Sequence, residues 1–203
     1  MFLDAVQGDR LEALYTVALS VDLRQGEALS LRWEDVNLEQ RRLSVRYALQ
    51  RIGGKLQLVE PKTAKSRRTL ALPAFAVTAL RAHKVRQLEE RVRLGAHWRD
   101  TGFIFTSSVG TPLEARNVVR QSRAHLQRAG LPRRRFHDLR HSAATLLLAQ
   151  GEELRNIMEL LGHSQSSITG NLYAHVLDAQ VLDAAKQQLA DKMDALLSVS
   201  RSG

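Results

Sequence analysis

The 203-residue sequence contains no cysteine, which excludes disulfide bonds and cysteine-ligated metal sites and fits a reducing cytoplasm. Nor does any stretch approach the ~20 continuous apolar residues of a membrane-spanning helix, and the opening residues do not form the basic-then-apolar pattern of a signal peptide. Acidic residues are in deficit: 21 Asp and Glu stand against 30 Lys and Arg, a formal net charge of +9. That balance, with clusters such as Arg133, Arg134 and Arg135, points to a polyanionic partner; nucleic acid is the first candidate and a membrane surface the second. What is present is apolar material, 44% of residues, enough for one sizeable packed domain or two small ones.

Asp9 and Glu12 read as an N-cap and its capping-box partner, and Leu11, Leu14, Tyr15, Ala18 and Leu19 then recur at helical spacing, which predicts an amphipathic helix. Leu43, Val45 and Tyr47 alternate with Ser44 and Arg46 ahead of Gly53-Gly54, Leu56 and Leu58, a hairpin pattern. A third strand, 69–72, ends at Pro73, and the polar, basic loop VEPKTAKSRRT lies before it. From 74 to 95 the sequence predicts a long scaffold helix, apolar at Phe75, Val77, Leu80 and Val85 and charged on its other side. After the apolar run Phe103-Ile104-Phe105, Thr111-Pro112-Leu113 leads into a helix from Glu114 that stops at Gly130. On it, Arg116, Asn117, Arg120 and Arg123 either lie along phosphates or face water. Gly151 and Gly162 read as helix C-caps, and Val181, Leu182, Ala185, Leu189, Met193 and Leu196 predict a C-terminal amphipathic helix.

Between 136 and 176 the sequence gathers the side chains that phosphoryl transfer needs: His137, Arg140, His163 and Tyr173. A tyrosine can attack phosphorus, histidines can move or hold protons, and an arginine presents a planar fork that meets two phosphate oxygens and stays charged. His137 and Arg140 are three apart, so a helix starting near Asp138 would carry both near one face at its N-terminal end, which favours anions.

HDLRHSAATLLLAQG, then MELLGHS, then Tyr173 ten positions after His163, strongly resemble the C-terminal motifs of the tyrosine recombinases, also called the phage integrase family. LRQGEALSLRWEDVNLE from Leu23 resembles the family's first arginine box. The resemblance implies an α+β, mainly helical catalytic-domain fold with a small antiparallel β-sheet near the N-terminal third. It also implies a single catalytic domain over 1–203, without the family's usual N-terminal DNA-clamping domain. The helix over 177–197 would dock on a neighbouring protomer or fold back on its own core.

The mechanism so implied has Tyr173 attack a DNA phosphodiester, forming a 3′-phosphotyrosyl link and freeing a 5′ hydroxyl. Arg24, Arg140 and His163 would hold the phosphate, and His137 would accept the tyrosine proton. Glu27, one helical turn after Arg24, would be a carboxylate that orients a basic neighbour. Lys62, or Lys65 in its place, would protonate the leaving oxygen. Lys65, Arg67, Arg116, Arg120, Arg133 and Arg134 would bind DNA. No cofactor or metal is implied. The expected partner is double-stranded DNA, with a monomer alone and a tetramer on DNA, in the cytoplasm and associated with the nucleoid. Alternative activities are DNA relaxation of the type IB topoisomerase kind and binding by a relic that does not cut. The sequence departs from the family pattern at Val21-Asp22, where a Thr-Gly pair is common, and at Ser166 and Gly170, where apolar residues are usual.

Overall fold

The computed structural model describes residues 2–21, 23–60, 67–133 and 135–136. A single turn of helix, α1 (Phe2–Ala5), leads into α2 (Glu12–Ser20). The polar pair expected at the start of α2 is engaged, but not as a capping box. Asp9 Oδ1 accepts from the Leu11 N–H at 2.8 Å, Glu12 Oε2 accepts from the Gly8 N–H at 2.8 Å, and the N-cap is Leu11. Asp9 bonds the amide two residues on, so it closes a turn ahead of the helix. Nor is α2 amphipathic: Ala13, Leu14, Tyr15, Thr16, Val17, Ala18 and Ser20 are all buried. Its two hydroxyls are satisfied within the helix, Thr16 Oγ1 donating to the Glu12 carbonyl and Ser20 Oγ to that of Thr16. The helix therefore runs through the core, with Leu11, Leu14 and Tyr15 among its most deeply buried side chains.

After α3 (Gln25–Ser30) and a 3-10 turn at Trp33–Asp35 the described residues form five strands: β1 (Val36–Asn37), β2 (Arg42–Val45), β3 (Ala48–Ile52), β4 (Lys55–Val59) and β5 (Arg68–Ala71). They make two antiparallel sheets, one of order β1-β2-β5 and one of β3 with β4. The alternating residues around Leu43 thus do not form the hairpin with Leu56 and Leu58. That hairpin joins β3 to β4 across Gly53-Gly54, both at positive φ, with Leu49 opposite Leu58. Leu43 instead faces Leu70 on β5, where both are buried. Alternation sets which face a side chain occupies and is silent on the partner strand.

Helix α4 (Ala74–Leu94) follows Pro73, and its buried stripe is Ala76, Val77, Leu80 and His83. Phe75 and Val85, expected on that stripe, are 54% and 58% exposed. A 100° advance per residue puts 76, 80 and 83 on one line, leaves 75 about 100° to one side of it and carries 85 to the opposite face. Phe103, Ile104 and Phe105 are buried, and α4 stitches them down: His83 Nε2 lies 2.8 Å from the Ile104 carbonyl, and Gln87 Nε2 donates to those of Phe103 and Ile104. Helix α5 (Ala115–Arg128) buries Val118, Ser122, His125 and Leu126. Among the described residues no helix is long and apolar enough to cross a membrane.

Candidate active site

Arg24 sits between Leu23, which is 2% exposed in the core, and the first residue of α3. Its backbone is extended, as an N-cap requires, and its own N–H is taken by Glu27 Oε2 at 2.9 Å. Glu27 is thus the acidic half of a capping box. Arginine has no acceptor with which to return the bond, so its side chain is left for other work. One Arg24 terminal nitrogen, Nη1, reaches Glu27 Oε1 at 3.0 Å, while the side chain as a whole remains 60% exposed. The Glu27 side chain is 4% exposed.

A second guanidinium completes the surroundings of that carboxylate. Arg68, the first residue of β5, places Nη2 3.0 Å from Glu27 Oε2 and Nη1 3.4 Å from Oε1, with 14% of its side chain exposed. Sequence reasoning missed Arg68 by reading it as part of a solvated basic loop. Period-two alternation held the signal: 68 shares the inward face of β5 with Leu70, which is buried. The group of two guanidiniums and one carboxylate carries a net positive charge, and its exposed member is Arg24. A buried carboxylate is tolerable because its lone pairs are taken by charged donors and an amide.

Other expected residues lie elsewhere on the described surface. Arg67 pairs with Glu60 through Nη2 and Oε2 at 2.5 Å, with both side chains largely exposed. Arg116 and Arg120 are exposed on α5, and Arg123 and Gln127 continue the same face. Arg116 Nε also reaches Glu114 Oε2 at 2.9 Å, and Arg51 on β3 bonds the other carboxylate oxygen, Oε1. Hydrogen bonding from Arg116, and then from Arg51, holds the Glu114 carboxyl below the usual range. Gln25 Nε2 donates to the Ala115 carbonyl at 3.0 Å, so the start of α3 abuts the start of α5. Arg133 is exposed just beyond α5. Lys62, Lys65, Arg134, His137, Arg140, His163 and Tyr173 lie outside the described residues, as do Asp22, Gly151, Gly162, Ser166, Gly170 and 177–197. Among the described residues no group of three or more His, Cys, Asp or Glu side chains is gathered closely enough to hold a metal ion.

The sequence profile of the Phage integrase family matches residues 3–180. A "Tyrosine recombinase XerC-like" protein of Caldanaerobacter subterraneus subsp. tengcongensis is 36% identical over 195 residues, covering 90% of this chain and 50% of its own. The ICEBs1 integrase of Bacillus subtilis is 30% identical over 198 residues, covering 97% of this chain and 52% of its own. The chain therefore spans about half the length of these curated relatives. Among solved structures, the crystal structure of XerA recombinase superimposes with a TM-score of 0.72 at 23% identity, over 92% of this chain and 61% of that one. The Tn1549 transposon integrase in complex with transposon right-end DNA gives 0.73 at 23% identity, over 93% and 63%. The α+β, mainly helical architecture, with its small antiparallel sheets, is that of a tyrosine-recombinase catalytic domain. With the profile running through most of its length, the chain belongs to the phage integrase family.

Proposed function

We propose that this chain is the catalytic domain of a tyrosine-type site-specific DNA recombinase. Its substrate is a phosphodiester of double-stranded DNA, and its intermediate is a 3′-phosphotyrosyl link. The observation that carries the reading is Arg24, an exposed guanidinium anchored through one terminal nitrogen to the buried Glu27, with the remainder of its fork available for a phosphate. In this reading Tyr173 is the nucleophile and His137 accepts its proton. Arg140 and His163 join Arg24 on the non-bridging oxygens, where positive side chains neutralise the charge that develops in the transition state. Lys62, with Lys65 as the alternative, protonates the departing 5′ oxygen. The bond made to tyrosine conserves the energy of the bond broken, so a second 5′ hydroxyl can reverse the step without a cofactor.

Arg67, Arg116, Arg120, Arg133 and Arg134, with Lys65, form the phosphate-binding surface in this reading, and the exposed basic face of α5 supports it. The Tn1549 integrase was solved with transposon-end DNA, which supports duplex DNA as the partner here. The protein is proposed to be a monomer alone and a tetramer on DNA, in the cytoplasm and associated with the nucleoid. Residues 1–203 act as one catalytic domain, and 177–197 contact a neighbouring protomer.

A pool of nicked suicide duplexes with randomised cores tests the assignment. The chain should become covalently attached to DNA, and Tyr173→Phe should abolish attachment while leaving DNA affinity nearly unchanged, because the ring stays and the nucleophilic oxygen is gone. Covalent complex persisting in that variant would move the nucleophile elsewhere. A supercoiled plasmid run alongside separates strand joining from relaxation.

A further inference from the structure

We propose that Arg68 is a positioning residue for Arg24: by occupying one edge of the Glu27 carboxylate, it keeps Arg24 from closing onto Glu27 and so leaves the Arg24 fork open to a phosphate. The inference rests on the reading that Arg24 holds the substrate phosphate.

The argument begins with what a carboxylate can accept. Two oxygens offer about four lone-pair directions. At Glu27 four donors point at them: the Arg24 N–H and Arg68 Nη2 at Oε2, and Arg24 Nη1 and Arg68 Nη1 at Oε1. Arg68 takes both oxygens from one side, and the side chain of Arg24 is left with a single contact to one of them. Side-on, two-bond pairing is the stronger arrangement for an arginine and a carboxylate. Arg24 lies three residues from Glu27 with 60% of its side chain exposed, so little besides the occupied edge opposes its closing to two bonds. An arginine so closed would offer a phosphate one donor fewer and no free edge on that side, and its charge would be largely cancelled by its neighbour.

The burial of the two partners fits this division of labour. Arg68 is mostly enclosed, at 14% exposure, and Glu27 nearly wholly so, at 4%. They form an enclosed pair on which the solvent-facing member is set. Geometry explains why the residue at 68 is arginine. A lysine supplies one point charge and cannot span both oxygens, so it would leave part of the Glu27 edge for Arg24 to take. Arg68 also begins β5, where it lies opposite Val45 in the sheet. The pair thus ties the arginine box of α3 to strand β5.

The test compares the wild-type chain with Arg68→Ala, Arg68→Lys and the double variant Arg68→Met/Glu27→Gln. Duplexes recovered from the randomised suicide pool serve as substrate. Single-turnover cleavage by Arg68→Ala should fall by about 10-fold to 100-fold, the usual scale for residues that orient a catalytic group, with DNA affinity unchanged. Arg68→Lys should lie between that variant and wild type. The double variant should recover most of the lost rate, because a neutral amide no longer draws Arg24 in. An Arg68 that served only to hold the fold would make the double variant as slow as Arg68→Ala or slower, and that result overturns the proposal.

A second readout needs no DNA cleavage. In ¹⁵N-resolved spectra the Arg24 side-chain signals should shift on titration with dimethyl phosphate in wild type and in the double variant, and respond much less in Arg68→Lys. Equal responses in wild type and Arg68→Lys also overturn the proposal. If the wild-type chain traps no DNA from the pool while the Arg24 signals behave as expected, the recombinase reading fails and the positioning role stands. Should Arg68→Ala not fold, Arg68→Lys and the double variant carry both measurements.

Discussion

Lowering the pH should weaken the fold through one residue, His83. On α4 this imidazole is 4% exposed, lies 2.8 Å from the Ile104 carbonyl, and stacks on Trp33 with Phe105 tilted against it. Burial, the largest influence, pushes its pKa down from 6.5 to about 4; the bond to Ile104 opposes this, and the charges of Arg86 and Arg10 add to it. Because the folded pKa lies below the unfolded one, the unfolded chain takes up the proton first as pH falls. The stabilising contribution is therefore complete above about pH 6.5, is lost progressively toward about pH 4, and changes little below that. At 1.36 kcal/mol per pKa unit, the full loss is on the order of 3 kcal/mol, a large part of the stability of a typical domain.

The assay is urea unfolding at several pH values between 7.5 and 4 for wild type and His83→Gln, whose amide can still donate to the Ile104 carbonyl but cannot titrate. Other titrating groups are common to both proteins, including Asp35, whose carboxyl burial pushes up. They cancel in the difference. The wild-type advantage should shrink steadily as pH falls. Curves that stay parallel within about 0.5 kcal/mol, the ordinary scatter of neutral substitutions, would mean that the His83 proton is not excluded by the fold and that the reasoning is wrong.

Three further outcomes are expected. Arg24→Ala should slow single-turnover DNA cleavage by roughly 100-fold or more, the scale of losing a charged donor to the transition state, and an unchanged rate would remove Arg24 from the site. A substrate whose leaving 5′ oxygen is replaced by sulfur needs no acid at that step, so it should rescue Lys62→Ala but not Arg140→Ala; rescue of Lys65→Ala instead would make Lys65 the acid. Gly110→Ala should lower stability by more than about 2 kcal/mol in thermal or urea unfolding, since position 110 has φ +83° and an added Cβ would stand 2.2 Å from the Arg99 carbonyl oxygen. A wild-type melting curve for that variant would contradict the described turn.

How far the sequence could be read depended on whether the signal was local. The long helix after Pro73 and the helix ending before Gly130 were legible from punctuation, and α4 and α5 occupy nearly those bounds. The face of α4 was not legible, because Phe75 and Val85 are as apolar as Val77 and Leu80, and only packing decides which of them reach the core. The character of α2 escaped for the opposite reason. Thr16 and Ser20 look like solvent-facing residues in a periodic pattern, yet in a helix their hydroxyls can turn back to the carbonyls four residues earlier and be buried with a partner. At the site, Arg24 and Glu27 are neighbours along one helical turn, so their pairing was accessible from spacing alone. Arg68 comes to Glu27 from 41 residues away. Alternation with Leu70 marks Arg68 as inward-facing, but the partner it meets is set by the pairing of β5 with β2, which short-range periodicity does not record.

The separation of the strands into two sheets bears on how this domain tolerates change in length. Among the described residues, the β3–β4 hairpin pairs only within itself, and the strands that carry Arg68 and its neighbours pair only among themselves. An insertion at the Gly53-Gly54 tip, where the space around both glycines is open, would lengthen the hairpin without shifting any hydrogen bond of the β1-β2-β5 ladder. Extra residues in such a loop cost little, each doubling of its length adding about 0.6 kcal/mol of closure entropy. Descendants of one ancestral gene could therefore grow or trim this hairpin while the guanidinium–carboxylate group stays in place. The same tip offers a position for a fluorophore or an affinity tag that leaves the arginine box undisturbed.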